Sequence, residues 1–208
     1  MSPIERETKL VVSRADYLRL RETGRLLEER DQLNVYFHDP ARLTDEVGYF
    51  RVRFERGREP MASIKIPAGW KGEMREMVEV ERPLTDLGPG LFPRPGRWVM
   101  VDADVPEGFM DHFRALGIER LRRLGWMRNH RSLVELPGLG SIELDLTVLP
   151  GGELHFEVEV ENPVEEIHRS LVERIRELAP SATYSRTGKF TRFLVASGLG
   201  PSSSANPL

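Results

Sequence analysis

The feature that most constrains this chain is an alternation of apolar and charged residues with period two, repeated along most of its length. In GYFRVRFE, residues 48–55, Phe50, Val52 and Phe54 alternate with Arg51, Arg53 and Glu55. In LHFEVEVE, residues 154–161, Phe156, Val158 and Val160 alternate with Glu157, Glu159 and Glu161. Residues i, i+2 and i+4 of a β-strand share a face. Each such segment is therefore predicted to be a strand with one greasy face and one ionic face.

The same pattern predicts strands over 4–12, 33–38, 61–66, 76–81, 126–136 and 141–148, which makes eight in all. Pro67 and Pro83 close two of them, and turns fall at Gly57, Ala68-Gly69, Pro137-Gly138 and Pro150-Gly151-Gly152. Helices are expected at 13–29, opened by a Ser13 cap, at 106–116, at 163–178 and at 188–196. In 163–178, Val164, Ile167, Leu171 and Ile175 recur at helical spacing, and Pro180 ends the run. No linker separates two cores, so one domain is expected over 2–196. The tail 197–208, SGLGPSSSANPL, has the composition of a disordered end.

Composition removes several function classes. With 33 acidic against 30 basic residues, the net charge of −3 argues against a general nucleic-acid binder. The absence of cysteine excludes a disulfide framework, thiolate metal sites and a cysteine nucleophile. No run of apolar residues is long enough to span a membrane, and the N-terminus lacks the pattern of a secretory signal. A cytoplasmic location is the expectation.

The ionic faces are the informative part. They carry clusters of one sign: Glu5 and Glu7 beside Lys9, then Arg51 and Arg53, then Lys65 next to Ser63, then Glu79 and Glu81, then Glu157, Glu159 and Glu161. An ordinary antiparallel sheet, apolar inside and charged outside, accounts for any one strand. The whole set fits it less well. Like charges about 4 Å apart repel by about 4 kcal/mol at an effective dielectric near 20, before screening. Clusters of one sign make sense when each faces a ligand or a cluster of the other sign. Eight strands closed into a barrel provide that geometry, because the interior is wide enough for side chains or one small ligand. The apolar faces then point outward, to be covered by the helices. The expected fold is α+β: a closed eight-stranded antiparallel β-barrel with helices packed on its outside.

The order of these clusters resembles a known family. Glu5-Arg6-Glu7-Thr8-Lys9 matches the ExExK signature of the CYTH domain, the family of triphosphate tunnel metalloenzymes. Leu33 to Pro40 resembles its N-x-Y-F-D-T-P strand, with His38 and Asp39 departing from it. Arg51-Val52-Arg53 resembles its R-x-R strand, Ser63-Ile64-Lys65 its T-L-K strand, and Leu144-Asp145 its L-D strand. Glu79-Val80-Glu81 and Glu157-Val158-Glu159 resemble its acidic strands. Gly188-Lys189-Phe190-Thr191-Arg192 resembles its S-K-Y-x-R end, with Gly188 in place of Ser.

The resemblance implies a tunnel that binds a triphosphate and divalent metal. Phosphate contacts fall to Lys9, Arg51, Arg53, Lys65, Arg131, Lys189 and Arg192, because Arg offers a planar fork and Lys a point charge. Arg128 competes with Arg131, since the strand 126–136 could face either way. The metal, Mg2+ or Mn2+, falls to Glu5, Glu7, Asp145, Glu157 and Glu159, because hard cations prefer carboxylate oxygens. Glu79 and Glu81 are supporting acids. Lys9, Arg53 and Glu159 are assigned the catalytic role.

The expected partner is a small-molecule polyphosphate or organic triphosphate, and a homodimer is allowed. Hydrolysis of inorganic tripolyphosphate is the favoured reaction, with thiamine triphosphate as an alternative substrate. A class IV adenylate cyclase and a non-catalytic binder of phosphorylated ligands are the competing readings. The five histidines lack metal-ligand spacing and are expected at the surface or in caps. Arg120-Leu121-Arg122-Arg123 is expected to be a solvated face. Trp70 is either a loop anchor or a lid.

Overall fold

A computed structural model of the chain describes residues 4–39, 48–84, 98–100, 105, 107–115 and 117–200. Eight strands close into an antiparallel barrel. They are β1 (Ile4–Val11), β2 (Arg25–His38), β3 (Tyr49–Glu55), β4 (Met61–Lys71), β5 (Met74–Pro83), β7 (Arg120–Leu136), β8 (Gly140–Val148) and β9 (Leu154–Glu161). The order around the barrel is β1, β5, β4, β3, β2, β7, β8, β9, and the β1–β9 pairing closes it through Lys9 opposite Glu159. Two short strands are added outside the ring: β6 (Trp98–Met100) on β7 and β10 (Thr183–Tyr184) on β1.

The apolar faces point outward, and helices cover them in sectors. Helix α2 (Glu107–Ala115) lays Phe109 and Phe113 on Val35, Phe50, Val52 and Ile64. Helices α1 (Arg14–Thr23) and α3 (Glu165–Leu178) place Tyr17, Leu20, Leu171 and Ile175 over Leu10, Val134, Leu144 and Val158. Helix α4 (Lys189–Ala196) packs differently: it sets Phe190, Phe193 and Leu194 against Leu149 and against Tyr36 and Met127, which stand on the inward faces of β2 and β7 with Asn34 and Arg131. The aromatic stack of Phe190 on Tyr49, two rings that both line the cavity with centroids 4.5 Å apart, fixes the start of α4 against the inner side of the barrel.

Besides β4, which runs through Pro67 and the expected turn at Ala68-Gly69 to Lys71 with a register shift between Pro67 and Gly69, two boundaries differ from the sequence reading. The expected helix over 13–29 ends at Thr23, and residues 25–29 belong to β2. Ser13 does cap it, accepting from the Asp16 N–H at 3.1 Å. The chain turns at Gly24, where a Cβ would lie 2.2 Å from Val134 Cγ1 and 2.9 Å from the Glu135 carbonyl oxygen. The strand beyond is held by a long ladder with β7, from Arg25–Glu135 to His38–Arg122. Tertiary pairing overrides the helical propensity of RLLEE. The second difference is β7, which starts at Arg120, not 126. The arginine run is strand, with Leu121 buried among the residues under α2.

Residues 197–200 of the expected tail close the end of α4, where Ser197 and Leu199 donate to the Phe193 and Leu194 carbonyls. Residues 201–208 lie outside the described residues, as does most of the Gly/Pro-rich loop 84–97. The close approach at Gly24 makes a first prediction. Gly24→Ala overpacks the turn against β7 and should cost about 1–3 kcal/mol. A fall in the urea midpoint at unchanged m-value is the expected result.

Candidate active site: the charged bore

The inward faces bring most of the sequence-derived residues to one cavity of about 210 Å³. Glu5, Glu7 and Lys9 reach it from β1, Arg51 and Arg53 from β3, and Lys65 from β4. Glu79 and Glu81 come from β5, Arg131 from β7, Glu159 from β9 and Lys189 from α4. The competition on β7 is settled by its pleat. Arg131 faces the bore, while Arg128 lies exposed on the outside, its guanidinium 5.8 Å from the Trp126 ring centroid. Asp145 and Glu157 stand behind the lining, both at 0% exposure. Arg192 stands behind it too, held by Glu157 at 2.6 Å and by Ser185.

The bore is a lattice of ion pairs. Lys65 sits between Glu5 at 2.7 Å and Glu79 at 2.8 Å. Arg51 donates to Ser63 and to Glu79, at 3.0 and 3.1 Å. Lys9 joins Glu7 at 2.7 Å and contacts Glu159. Arg131 spans Asp145, Glu143 and Glu159. Lys189 meets Asp145, Glu157 and Glu159 at 2.7, 2.9 and 2.6 Å.

Arg53 breaks this rule. Its Nε donates to the Asn34 side-chain oxygen at 3.2 Å, and among the described residues no carboxylate pairs with it. Burial, with Arg51 and Arg131 close by, pulls its pKa below the ordinary arginine value. A cation destabilised in this way gains from an incoming anion.

The same balance shifts the other groups. Burial works against charge on Lys9, but Glu159 and Glu7 outweigh it and hold the ammonium well above its usual value. Burial also opposes the Glu159 carboxylate, and Lys189, Lys9 and Arg131 together hold its pKa well below the usual range. Glu79 is burdened by burial yet drawn down to about 2 by Lys65 and Arg51. Three acids go the other way. Burial raises Glu5, helped by Glu79 and Glu7, and raises Glu143, helped by Glu159 and Asp145. Glu161 is pushed up to about 9 by desolvation of its carboxyl and by Glu143, Glu5 and Glu159. Much of the Glu161 side chain is open to solvent, so the crowding by like charges is the firmer part of that cause.

The sequence profile of the CYTH domain matches residues 3–194. The chain belongs to the CYTH family. Enzymes of this family are triphosphatases or cyclases that depend on divalent metal. Solved structures show the same fold at low identity. HpAC1 from Hippeastrum, a proposed adenylyl cyclase reported to have a dominant triphosphatase activity, is 21% identical at a TM-score of 0.70, over 92% of this chain and 95% of that one. A Bacillus halodurans protein proposed to be an adenylate cyclase is 22% identical at a TM-score of 0.66, over 92% of this chain and 98% of that one. No curated protein matches the chain in sequence.

Within this CYTH bore, two groups of carboxylates are arranged to share a cation. Glu5, Glu7 and Glu161 form one, and Glu143, Glu159 and Glu161 the other, each with oxygens within 4.8 Å of one another. All-oxygen donor sets of this kind suit Mg2+ or Mn2+. Glu161 belongs to both. Neither Glu143 nor Glu161 is in the metal set carried over from the family motifs. The strand period identifies both, since Glu143 shares a face with Asp145, and Glu161 with Glu159. Arg30 and Arg75 also line the bore and lay outside the sequence assignment.

The departure at Gly188 has a local reason. A Cβ there would come within 2.7 Å of Arg75 Nη1, so the glycine lets that guanidinium lie over the start of α4. Trp70 is on β4, exposed, with the Arg75 and Arg186 guanidiniums 5.8 and 5.7 Å from its ring centroid. Two histidines expected at the surface are buried: His38 bonds the Gly48 and Asp39 carbonyls, and His168 bonds the Thr8 hydroxyl at 2.7 Å.

Proposed function

We propose that this CYTH protein hydrolyses a triphosphate, with inorganic tripolyphosphate as the preferred substrate and thiamine triphosphate as the alternative. The observation that carries this reading is Arg53, a bore-lining guanidinium without a carboxylate in a cavity where Lys9, Arg51, Lys65, Arg131 and Lys189 are all paired. A seat of that kind asks for a phosphate. The cavity's size supports the choice of substrate. At about 210 Å³ it is smaller than the ~300–1,000 Å³ typical of sites that enclose a drug-sized ligand. A bare triphosphate suits it better than a whole nucleotide.

The residues divide the work. Lys9, Arg51, Arg53, Lys65, Arg131 and Lys189 neutralise and align the phosphate chain, so that the terminal phosphorus is held for in-line attack by water. Arg192 holds Glu157 from behind. Glu5, Glu7, Glu143, Glu159 and Glu161 would hold Mg2+ or Mn2+, which supplies charge neutralisation at the transferring phosphoryl group. Glu79 and Glu81 keep Lys65 and Arg51 in place.

The decisive assay incubates the protein with Mg2+ or Mn2+ and, separately, tripolyphosphate, thiamine triphosphate and ATP. Orthophosphate release, fastest from tripolyphosphate, is expected. Cyclic AMP with pyrophosphate from ATP would make the protein a cyclase. Thermal stabilisation by tripolyphosphate with no turnover would make it a binding module.

A further inference from the structure

A second guanidinium of the bore lacks a carboxylate. Arg75 lines the cavity from β5, and among the described residues no acid pairs with it. Its contact is with Trp70, whose ring centroid lies 5.8 Å from the guanidinium carbon. A carboxylate would cancel the charge of Arg75. An indole face holds the guanidinium and leaves that charge in place.

The backbone builds this contact. β4 carries an extra residue against β5, so Pro67 faces Met77, but Trp70, not Gly69, faces Arg75. Residues directly opposite on an antiparallel pair share a face, and a bulge changes which residues those are. Met77 and Arg75 both line the cavity, so Trp70 stands on the continuation of the inward face. On its other side Arg75 lies close over Gly188, where a Cβ would come within 2.7 Å of Nη1.

Beyond Arg75 the bore opens to solvent. Trp70 is 45% exposed. The Arg186 guanidinium lies 5.7 Å from the same ring, and its side chain is 71% exposed. Arg186 reaches Glu73 at 3.5 Å, an exposed pair that binds its partners weakly. The N–H of Ser185, one residue earlier, donates to the Lys9 carbonyl, so the segment that carries Arg186 is tied to β1. Two guanidiniums on one ring make a positive step leading out of the cavity. They favour phosphate and oppose a cationic ring such as the thiazolium of thiamine triphosphate.

Resting on the triphosphate reading above, we propose that Arg75, Arg186 and Trp70 form an outer phosphate seat, which takes the fourth and later phosphates of a linear inorganic polyphosphate while the inner three occupy the bore. Arg75 and Arg186 contact the chain. Trp70 is a positioning residue that holds both guanidiniums.

Steady-state kinetics of the full-length protein with Mg2+, on tripolyphosphate and on linear tetrapolyphosphate, test this. In wild type, kcat/KM for tetrapolyphosphate should exceed that for tripolyphosphate about tenfold or more, the effect of one added charge-assisted contact. Arg75→Met should lower that ratio about tenfold, and Arg186→Met, at an exposed side chain that folding does not depend on, about threefold or more. Trp70→Leu should raise KM for tetrapolyphosphate with kcat held, and Trp70→Phe should restore most of the loss. A ratio unchanged in both arginine variants would overturn the seat. So would a Trp70→Leu protein slowed on thiamine triphosphate but not on tetrapolyphosphate, which would make the ring a stacking face for an organic group. If the protein binds both anions without cleaving them, the ratio of their Kd values by calorimetry is read in the same way. Tripolyphosphate cleavage with no advantage for tetrapolyphosphate would remove the outer seat alone. Wild-type protein that neither binds nor cleaves tripolyphosphate would remove the triphosphate reading itself, and the seat with it.

Discussion

Glu161→Gln should lower turnover by at least about 100-fold and, at the same time, make the metal-free protein more stable. The two effects have one cause. Glu161 is the only acid common to both carboxylate groups among the described residues, so an amide there weakens each of them. Loss of groups that merely support a metal ligand costs about 10–100-fold, and loss of a shared ligand should exceed that. In the metal-free protein, however, Glu143, Glu5 and Glu159 crowd the same carboxylate. Folding therefore requires that carboxyl to take up a proton, and an amide, neutral from the start, removes the cost. Orthophosphate release and thermal unfolding, measured on the same preparation, read both signs. Full turnover in the variant would show that the metal lies elsewhere.

The pH dependence follows from the same carboxyl. Its folded pKa, near 9, stands above the ordinary glutamate value of 4.5. Between those values the folded chain keeps a proton that the unfolded chain has released. The stabilisation from that proton is complete below about pH 4.5 and is lost as pH rises towards 9. Metal-free wild type should therefore lose melting temperature across that window, and Glu161→Gln should lose less. Mn2+ needs the ionised form, so its stabilising effect on wild type should be larger at pH 8.5 than at pH 6. A melting temperature of the metal-free protein that climbs steadily from pH 5 to 9 would contradict the crowding at Glu161.

The barrel was legible because its signal is local. Period-two alternation needs no knowledge of distant residues, and one-sign charge clusters on facing strands demand an enclosed interior. The same rule reads Glu143 and Glu161 into the bore, since each lies two positions from an acid already assigned. What the sequence concealed was set by tertiary contact. Residues 25–29 are written in helix-forming residues, yet a strand partner in β7 claims them. Arg128 and Arg131 look alike in sequence and fall on opposite sides of one strand. Their difference depends on register, because a shift of one residue turns every side chain of the strand over. Depth was hidden in the same way. Asp145 and Glu157 occupy inward positions, but whether an inward carboxylate reaches the open cavity or sits behind its lining depends on what Arg131, Lys189 and Arg192 do above it.

Arg53 and Arg131, both bore-lining guanidiniums, should respond oppositely to loss of charge. Arg131→Met leaves Asp145, Glu143 and Glu159 without the guanidinium they share. Stripping one partner from a buried ion-pair network costs about 3–5 kcal/mol, because the remaining charges stay out of water without compensation. Arg53→Met removes a cation that burial, Arg51 and Arg131 already disfavour, and leaves only Asn34 short of a hydrogen bond. Its stability should stay at wild type or rise slightly. Its cost appears on ligand binding: loss of charge-assisted hydrogen bonds worth about 1.5–3 kcal/mol should raise the KM for tripolyphosphate about 10- to 100-fold. Urea unfolding and steady-state kinetics on the two variants separate the roles. An Arg53→Met protein as unstable as Arg131→Met would mean that Arg53 is part of the structural lattice, and the phosphate seat would have to be sought at another cation of the bore.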